Sequence, residues 1–303
     1  MADATPAAAP VETRPARFRN FCSDFARSPV AVVSLIMIVG LLFVSFAAPL
    51  VSPQDPYDMA KLDWMDAFLK PGTVGSGGYT HLLGTDNVGR DMLSAIFYGL
   101  RTSFVIGLSA GALALIVGIC VGLSAAYFGG RIEAFLMRIV DLQLSMPAIL
   151  LALVLVAVLG QGVGQIILAL VIAQYAYFAR TTHGAATVER GKDYIEAARS
   201  TPLPTGRVLF RHLLPNVLPP LIVVATVQVA SAIALEATLS FLGVGLPLTE
   251  PSLGSLIANG FKYIHTDRYW LSIYPGLFLM VTVVTINLVG DQVRTVLDPR
   301  RSR

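Results

Sequence analysis

Long apolar stretches alternate with short polar ones along this chain, on a scale far greater than that of a strand or a soluble helix. Charge-free or charge-poor runs cover residues 29–51, about 101–126, 136–159, 164–182, 217–241 and 271–290. A helix rises about 1.5 Å per residue, so some 20 apolar residues cross a hydrocarbon core about 30 Å thick. Lipid offers no hydrogen bonds to the backbone, which leaves the helix as the form for such isolated runs. The pattern therefore predicts an all-α integral membrane fold with six transmembrane helices.

The polar intervals give the organisation. Residues 1–28 are rich in Ala and Pro, then basic at Arg14, Arg17, Arg19 and Arg27, and read as a tail ending at a membrane surface. The first run, 29–51, has no small-residue cleavage pattern and reads as a retained anchor. Residues 52–100 carry Asp55, Asp58, Asp63, Asp66, Asp86 and Asp91 with Lys61, Lys70 and Arg90 and a glycine-rich turn over 72–78. They form a polar loop. A core over 101–293 holds the other five helices and a long polar loop at 183–216, and 294–303 is a second tail.

Composition sharpens this picture. Hydrophobic residues make up 55% of the 303 and charged residues 14%, against about a quarter in a soluble domain. So few charges cannot cover a water-soluble body of this length, so lipid replaces water over much of it. A net charge of +3 is too small for a nucleic-acid footprint. The distribution of cations says more. With the N-terminus inside, the inner segments hold Arg14, Arg17, Arg19, Arg27, Arg131, Arg138, Arg180, Arg190, Lys192, Arg199, Arg207, Arg211, Arg294, Arg300, Arg301 and Arg303, sixteen of the 22 Lys and Arg. Only Lys61, Lys70, Arg90, Arg101, Lys262 and Arg268 fall outside. The bias predicts that both termini and residues 183–216 are cytoplasmic.

The loop at 183–216 carries the chemistry. Its first part suits a short helix with Tyr194, Ile195 and Ala198 within one turn. Pro202 and Pro204 end that helix. A second short helix is predicted from Thr205 to Leu214, with Leu209 and Leu213 on one face and Arg207 and Arg211 on the next. A structured loop of this length reads either as an ordinary solvated connection or as a docking element for a cytoplasmic partner.

Other groups are weighed the same way. Glu236 is the one acid well inside an apolar run; it reads as a hydrogen-bonding residue between helices or as a lining residue of a solute path, with Gln228 eight residues earlier as its companion. Asp86, Arg90 and Asp91 read as local charge pairs that hold the loop. His81, His183, His212 and His265 share no ligand spacing, so no metal site is expected within the chain. Cys22 and Cys120 read as free thiols. Trp64, Trp270, Tyr269 and Tyr274 suit an interfacial belt. The turn Gly160-Gln-Gly-Val-Gly164 lacks the Lys-Ser/Thr of a phosphate loop, and no GxxxxGK[ST] occurs anywhere, so no nucleotide is expected to bind here. A secondary transporter would want ionisable pairs or broken helices at midplane, and an internal repeat that is not seen. A membrane enzyme would want clustered polar groups at one depth.

Several motifs together carry a resemblance. Glu196-Ala197-Ala198, followed by Arg199, Pro202 and then His212-Leu213-Leu214-Pro215-Asn216, resembles the EAA loop of ABC importer permeases. Leu83 to Leu93, Asp141 with Met146-Pro147, Glu236 to Gly243, Gly290-Asp291 and Leu297-Asp298-Pro299-Arg300 are similar, in order, to segments of the dipeptide, oligopeptide and nickel branch and point to the C-type member of a permease pair. The resemblance spans roughly residues 20–301. It implies a type I ABC importer permease fold, in a bacterial inner membrane, that passes di- or oligopeptides or a related small solute by alternating access. It implies a homologous second permease, two ATPase chains that hold ATP and Mg, and an extracytoplasmic binding protein, and it makes the EAA loop the coupling element. One departure is Pro202, where the family usually has Gly; rigidity makes the bend that permissiveness makes elsewhere.

Overall fold

The computed structural model describes residues 21–57, 62–200, 203–247 and 250–297, with the side chains of 197–199 outside the description. Arg14, Arg17, Arg19, Asp58, Lys61, Pro202 and the Asp298-Pro299-Arg300 motif lie outside it too. Helix α1 (Pro29–Phe46) starts at an N-cap, where the Ser28 hydroxyl accepts from Ala31 N and proline occupies the first turn. A further turn follows at Ala48–Val51. Helix α2 (Met92–Phe128) is 37 residues long, about 55 Å, and so exceeds the hydrocarbon core. It begins inside the stretch read as loop because Met92, Ala95, Ile96 and Leu100 are buried against Leu253, Leu256, Trp270 and Leu271.

The third apolar run departs from expectation. It is a pair, α3 (Gly130–Leu144) and α4 (Ala148–Leu159), bent by 92°. Pro147 has no N–H to give and pushes Met146 out of the helical region, so the run breaks there. Helices long and apolar enough to cross a membrane number five among the described residues, or six with this bent pair as one span. Helix α5 (Val163–Arg190) runs well past the apolar stretch, and α6 (Asp193–Ser200) follows after Gly191.

The separate second helix predicted at 205–214 is also corrected. Thr205–Arg207, a π turn at Val208–Leu213 and α7 (Leu214–Phe241) form one helical run of 37 residues. The widened turn falls where the Pro215 ring would otherwise press on the Arg211 carbonyl. Helix α8 (Leu253–Phe261) opens with a Ser252–Ser255 capping box, and α9 (Trp270–Leu297) closes the described chain.

Two ends result. At one, the polar loop folds into a platform around the hairpin β1 (Thr73–Val74) and β2 (Thr80–His81). There Arg90 Nε donates to Asp86 Oδ2 at 2.7 Å, and His81 Nδ1 lies 3.0 Å from Asp91 Oδ1, all four side chains buried. These are the local pairs expected of the loop. Asp91 also caps α2 by accepting from Ser94 N. Burial, with Asp91 and Asp66 nearby, holds the Tyr79 hydroxyl above its ordinary pKa. Trp270 is corrected: it is 2% exposed, and its indole N–H donates to the Thr85 carbonyl at 3.2 Å, so it ties α9 to the platform instead of sitting in a belt. Trp64 and Tyr269 remain exposed. At the opposite end sits α6.

The helices approach through small residues. Glycines 107 and 111 of α2 face Ile233 and Val229 of α7, while Gly118 and Gly122 face the α5 backbone at Tyr175, Ala179 and His183. A small residue every fourth position lets helix backbones touch where no hydrophobic effect drives association.

Candidate functional site

Helix α6 is fastened at its base and free on its outer side. Ile195 is 1% exposed, packed in a cluster with Leu123, Ala126, Ala186, Leu209, Leu213, Val217 and Leu221 from α2, α5 and the 205–241 run. A polar lock closes the edge. Tyr194 Oη donates to Glu189 Oε2 at 2.6 Å and accepts from Asn216 Nδ2 at 3.0 Å, and Lys192 pairs with Glu189. Asn216 Nδ2 also donates to the His212 carbonyl. Burial and the bond to Glu189 push the Tyr194 hydroxyl up to about 12, so it stays a donor throughout the physiological range. Arg190 donates to the Ala126 carbonyl at 2.6 Å.

Of the residues singled out in the sequence, Glu196, Arg207, Arg211 and Pro215 are exposed and His212 is half-buried. Leu209 and Leu213 share the buried face expected of them. Ala197, Ala198 and Arg199 belong to α6, but their side chains lie outside the described residues. The structure thus brings Ile195, Tyr194 and Asn216 into one joint and leaves Glu196 at an open surface.

Beside this joint, α3, α5, α7 and α9 line an open cavity of about 1100 Å³. It is lined by Tyr177, Arg180 and Thr181 of α5, by α7 from Asn216 to Gln228, and by Arg294 of α9. Arg180 pairs with Asp141 of α3, and His183 Nε2 lies 2.7 Å from Glu133 Oε1 of the same helix. The two pairs fasten α3 to α5, His183–Glu133 at the first turn of α3 and Arg180–Asp141 near its end before Pro147.

Gln228 lines the cavity, and Glu236 is not among its lining residues. Glu236 turns to α2 instead: it is fully buried and accepts from Ser103 Oγ and Ser240 Oγ at 2.8 Å each. Leucine at 236 would leave both hydroxyls without their acceptor, at about 1–3 kcal/mol. Glu236→Leu should therefore lower the thermal stability of the detergent-solubilised subunit, and Glu236→Gln, which keeps an acceptor, should lower it less.

Sequence reasoning missed Tyr194 with Glu189 as a lock, Arg180 and Arg294 as cavity walls, and the glycine contacts. Only the last left a signal, the spacing of four between Gly107 and Gly111 and between Gly118 and Gly122.

Comparison with known proteins decides the family. The family described as binding-protein-dependent transport system inner membrane component matches residues 114–303. The chain belongs to that family. The N-terminal transmembrane domain of oligopeptide transport permease C matches residues 17–71. The chain is 37% identical over 296 residues to the di/tripeptide transport system permease protein DppC of Pseudomonas aeruginosa strain UCBPP-PA14, covering 97% of this chain and 96% of that one. It is 38% identical over 293 residues to the dipeptide transport system permease protein DppC of Escherichia coli K12, covering 96% and 95%. In fold it is similar to a chain of the MetNI methionine ABC transporter in an inward-facing conformation, with a TM-score of 0.55, 21% identity, and coverage of 68% of this chain and 97% of that chain. This chain is a multi-pass inner-membrane permease subunit of an ABC importer, with a type I importer permease fold; it is a transporter subunit, and ATP hydrolysis belongs to separate ATPase chains.

Proposed function

We propose that this chain is the C-type member of a heteromeric permease pair that imports di- or oligopeptides, with both termini and α6 cytoplasmic. The curated relatives that match nearly its whole length are named for peptide transport, which supports that substrate class. The observation that carries the mechanism is the joint at α6. Ile195 and the Glu189–Tyr194–Asn216 lock tie this helix to α2, α5 and the 205–241 run, so a push on α6 moves spans and not a loop.

In this reading two partner ATPases hold ATP and Mg, close on ATP binding, and carry α6 with them. The exposed face bearing Glu196, with Arg207, Arg211 and His212 nearby, meets the ATPase. The second permease completes the path, an extracytoplasmic binding protein delivers the peptide, and the cavity at the α6 end serves as the inner vestibule. Glu196, Ala197, Ala198, Arg199, Pro202, Pro215 and Asn216 form the coupling segment, and Gln228 lines the path. Glu236, already satisfied by two serines, gives ion-driven transport little to work with.

The test is reconstitution of both permeases, both ATPases and the binding protein in vesicles. ATP-dependent uptake of a labelled dipeptide is expected. ATP hydrolysis by this chain alone would overturn the reading. Topology has its own check. In a variant with Cys22 and Cys120 replaced by Ser, Lys70→Cys on the platform should react with an impermeant maleimide in intact cells, and Ser200→Cys at the end of α6 only after lysis. Labelling of Ser200→Cys from outside would reverse the orientation.

A further inference from the structure

We propose that Arg180 and Arg294 form a carboxylate-receiving site in the cavity beside α6, holding the anionic end of the transported solute before release; this rests on the reading of the chain as a peptide permease. The two guanidinium groups reach the cavity from different walls, Arg180 from α5 and Arg294 from α9. No Asp or Glu is among the described lining residues. Asp141 pairs with Arg180 from α3 without lining the cavity. Arg294 has no carboxylate partner among the described residues, and Asp298, four residues on, lies outside them.

Among the described residues the charges that line the cavity are therefore both cationic. Its remaining wall is largely apolar, Pro219, Pro220, Val223 and Val227 among it, and apolar walls focus the field of the two cations into the space between them. A guanidinium presents a planar fork that matches a carboxylate in two parallel hydrogen bonds, a match no ammonium makes. The Arg180–Asp141 pair is about half exposed on both sides. An exposed ion pair is worth little, so Arg180 can exchange Asp141 for a carboxylate of the solute at small cost.

The neutral lining fits the rest of a peptide. Asn216 and Gln228 are both cavity residues of α7, about 18 Å apart along the helix. An extended chain of about five residues spans that length. Tyr177 offers a hydroxyl and Gln228 an amide with donors and acceptor, while Asn216, whose N–H groups are held by Tyr194 and His212, and Thr181, whose hydroxyl donates to the Tyr177 carbonyl, offer acceptor oxygens, to peptide groups of any sequence. Such a site selects for a free carboxylate at one end and is indifferent to side chains.

The test uses the assembled complex of both permeases and both ATPases in lipid nanodiscs, free of nucleotide and of binding protein. Equilibrium binding is measured for radiolabelled dialanine and for its C-terminal amide. Wild type should favour the acid by roughly tenfold, the scale of one charge-assisted hydrogen bond. R180Q and R294Q should each bring that ratio toward one while the complex keeps its ATPases. D141N breaks the same ion pair as R180Q but keeps the guanidinium, so it should retain the preference. Equal binding of acid and amide by wild type, or no binding of either, overturns the site. So does a preference that survives in both R180Q and R294Q. If D141N loses the preference as fully as R180Q, Arg180 acts through its pair with Asp141 and not on the solute. Uptake of dialanine by the complete system with its binding protein separates the two levels: uptake without a carboxylate preference at the cavity sinks the site alone, and no uptake sinks the peptide reading.

Discussion

Glu196→Lys should abolish uptake while leaving the subunit inserted and abundant. Glu196 is exposed on α6, and no packing contact of the membrane body depends on it. Its neighbour Ile195 carries the packing, with 1% exposure. An ammonium in place of a carboxylate at a docking surface turns attraction into repulsion or leaves a charge badly paired, at a cost on the order of a few kcal/mol where the contact is desolvated. A loss of that size lowers association by about two decades. The measurement is co-purification of the ATPase chains with the tagged permease, alongside uptake in cells. Glu236→Gln is the contrast, because it sits in the membrane body and should leave ATPase association intact. Full uptake and full ATPase association in Glu196→Lys would show that α6 is not the coupling element. Ile195→Ala completes the set. It should loosen the joint by about 2–5 kcal/mol, as truncation of a buried Ile does, and lower uptake with less loss of ATPase binding.

Gly122→Leu should remove most of the folded subunit from the membrane. A Cβ at Gly122 would collide with the Ala179 carbonyl oxygen and come within 2.6 Å of Thr182 Cβ and 2.9 Å of His183 N. At Gly118 it would meet Phe178 Cβ, the Tyr175 carbonyl at 2.8 Å and Ala179 N at 2.9 Å. The obstacles are largely backbone, so no side-chain rotation relieves them and α2 must part from α5. Overpacking usually costs about 1–3 kcal/mol, and more where backbone blocks the way. Gly184→Ala is the control within α5. A Cβ there meets nothing within 4 Å, so the change should be tolerated and should gain helix propensity, about 1 kcal/mol at most. Membrane abundance and the melting temperature of the solubilised subunit report both results. Equal melting temperatures for Gly122→Leu and Gly184→Ala would refute the close approach of α2 and α5.

The spans were legible because lipid imposes a strong one-dimensional rule: a helix in hydrocarbon must be apolar along its length. That rule finds residues 29–51, 164–182 and 271–290 from composition alone. It does not see where helix runs on into water. The 205–214 segment is polar on one face, yet Leu209 and Leu213 anchor it, and it continues into α7 as a single run. The break at Pro147 was visible as a residue but not as an angle, since a proline within a span either kinks it or is absorbed. Pro219 and Pro220 are absorbed inside α7, while Pro147 turns the chain by 92°.

By itself, the sequence determined the number of apolar runs, the uneven distribution of cations among the polar intervals, the absence of a GxxxxGK[ST] motif and the motifs that carry the family resemblance, because each is a property of consecutive residues. Tertiary structure decided which side each polar group faces. Glu236 and Gln228, eight residues apart, read as companions on one path; packing gives Glu236 to Ser103 of α2 and Gln228 to the cavity. Trp270 reads as an interfacial residue and is instead a buried donor to Thr85, 185 positions away. Arg180 and Arg294 meet at one cavity only because α5 and α9 end on the same side of the bundle. The physical reason is the same each time. Hydropathy acts on one segment and can be summed along it, whereas a hydrogen bond or a shared cavity needs two segments whose approach is set by the small residues between them.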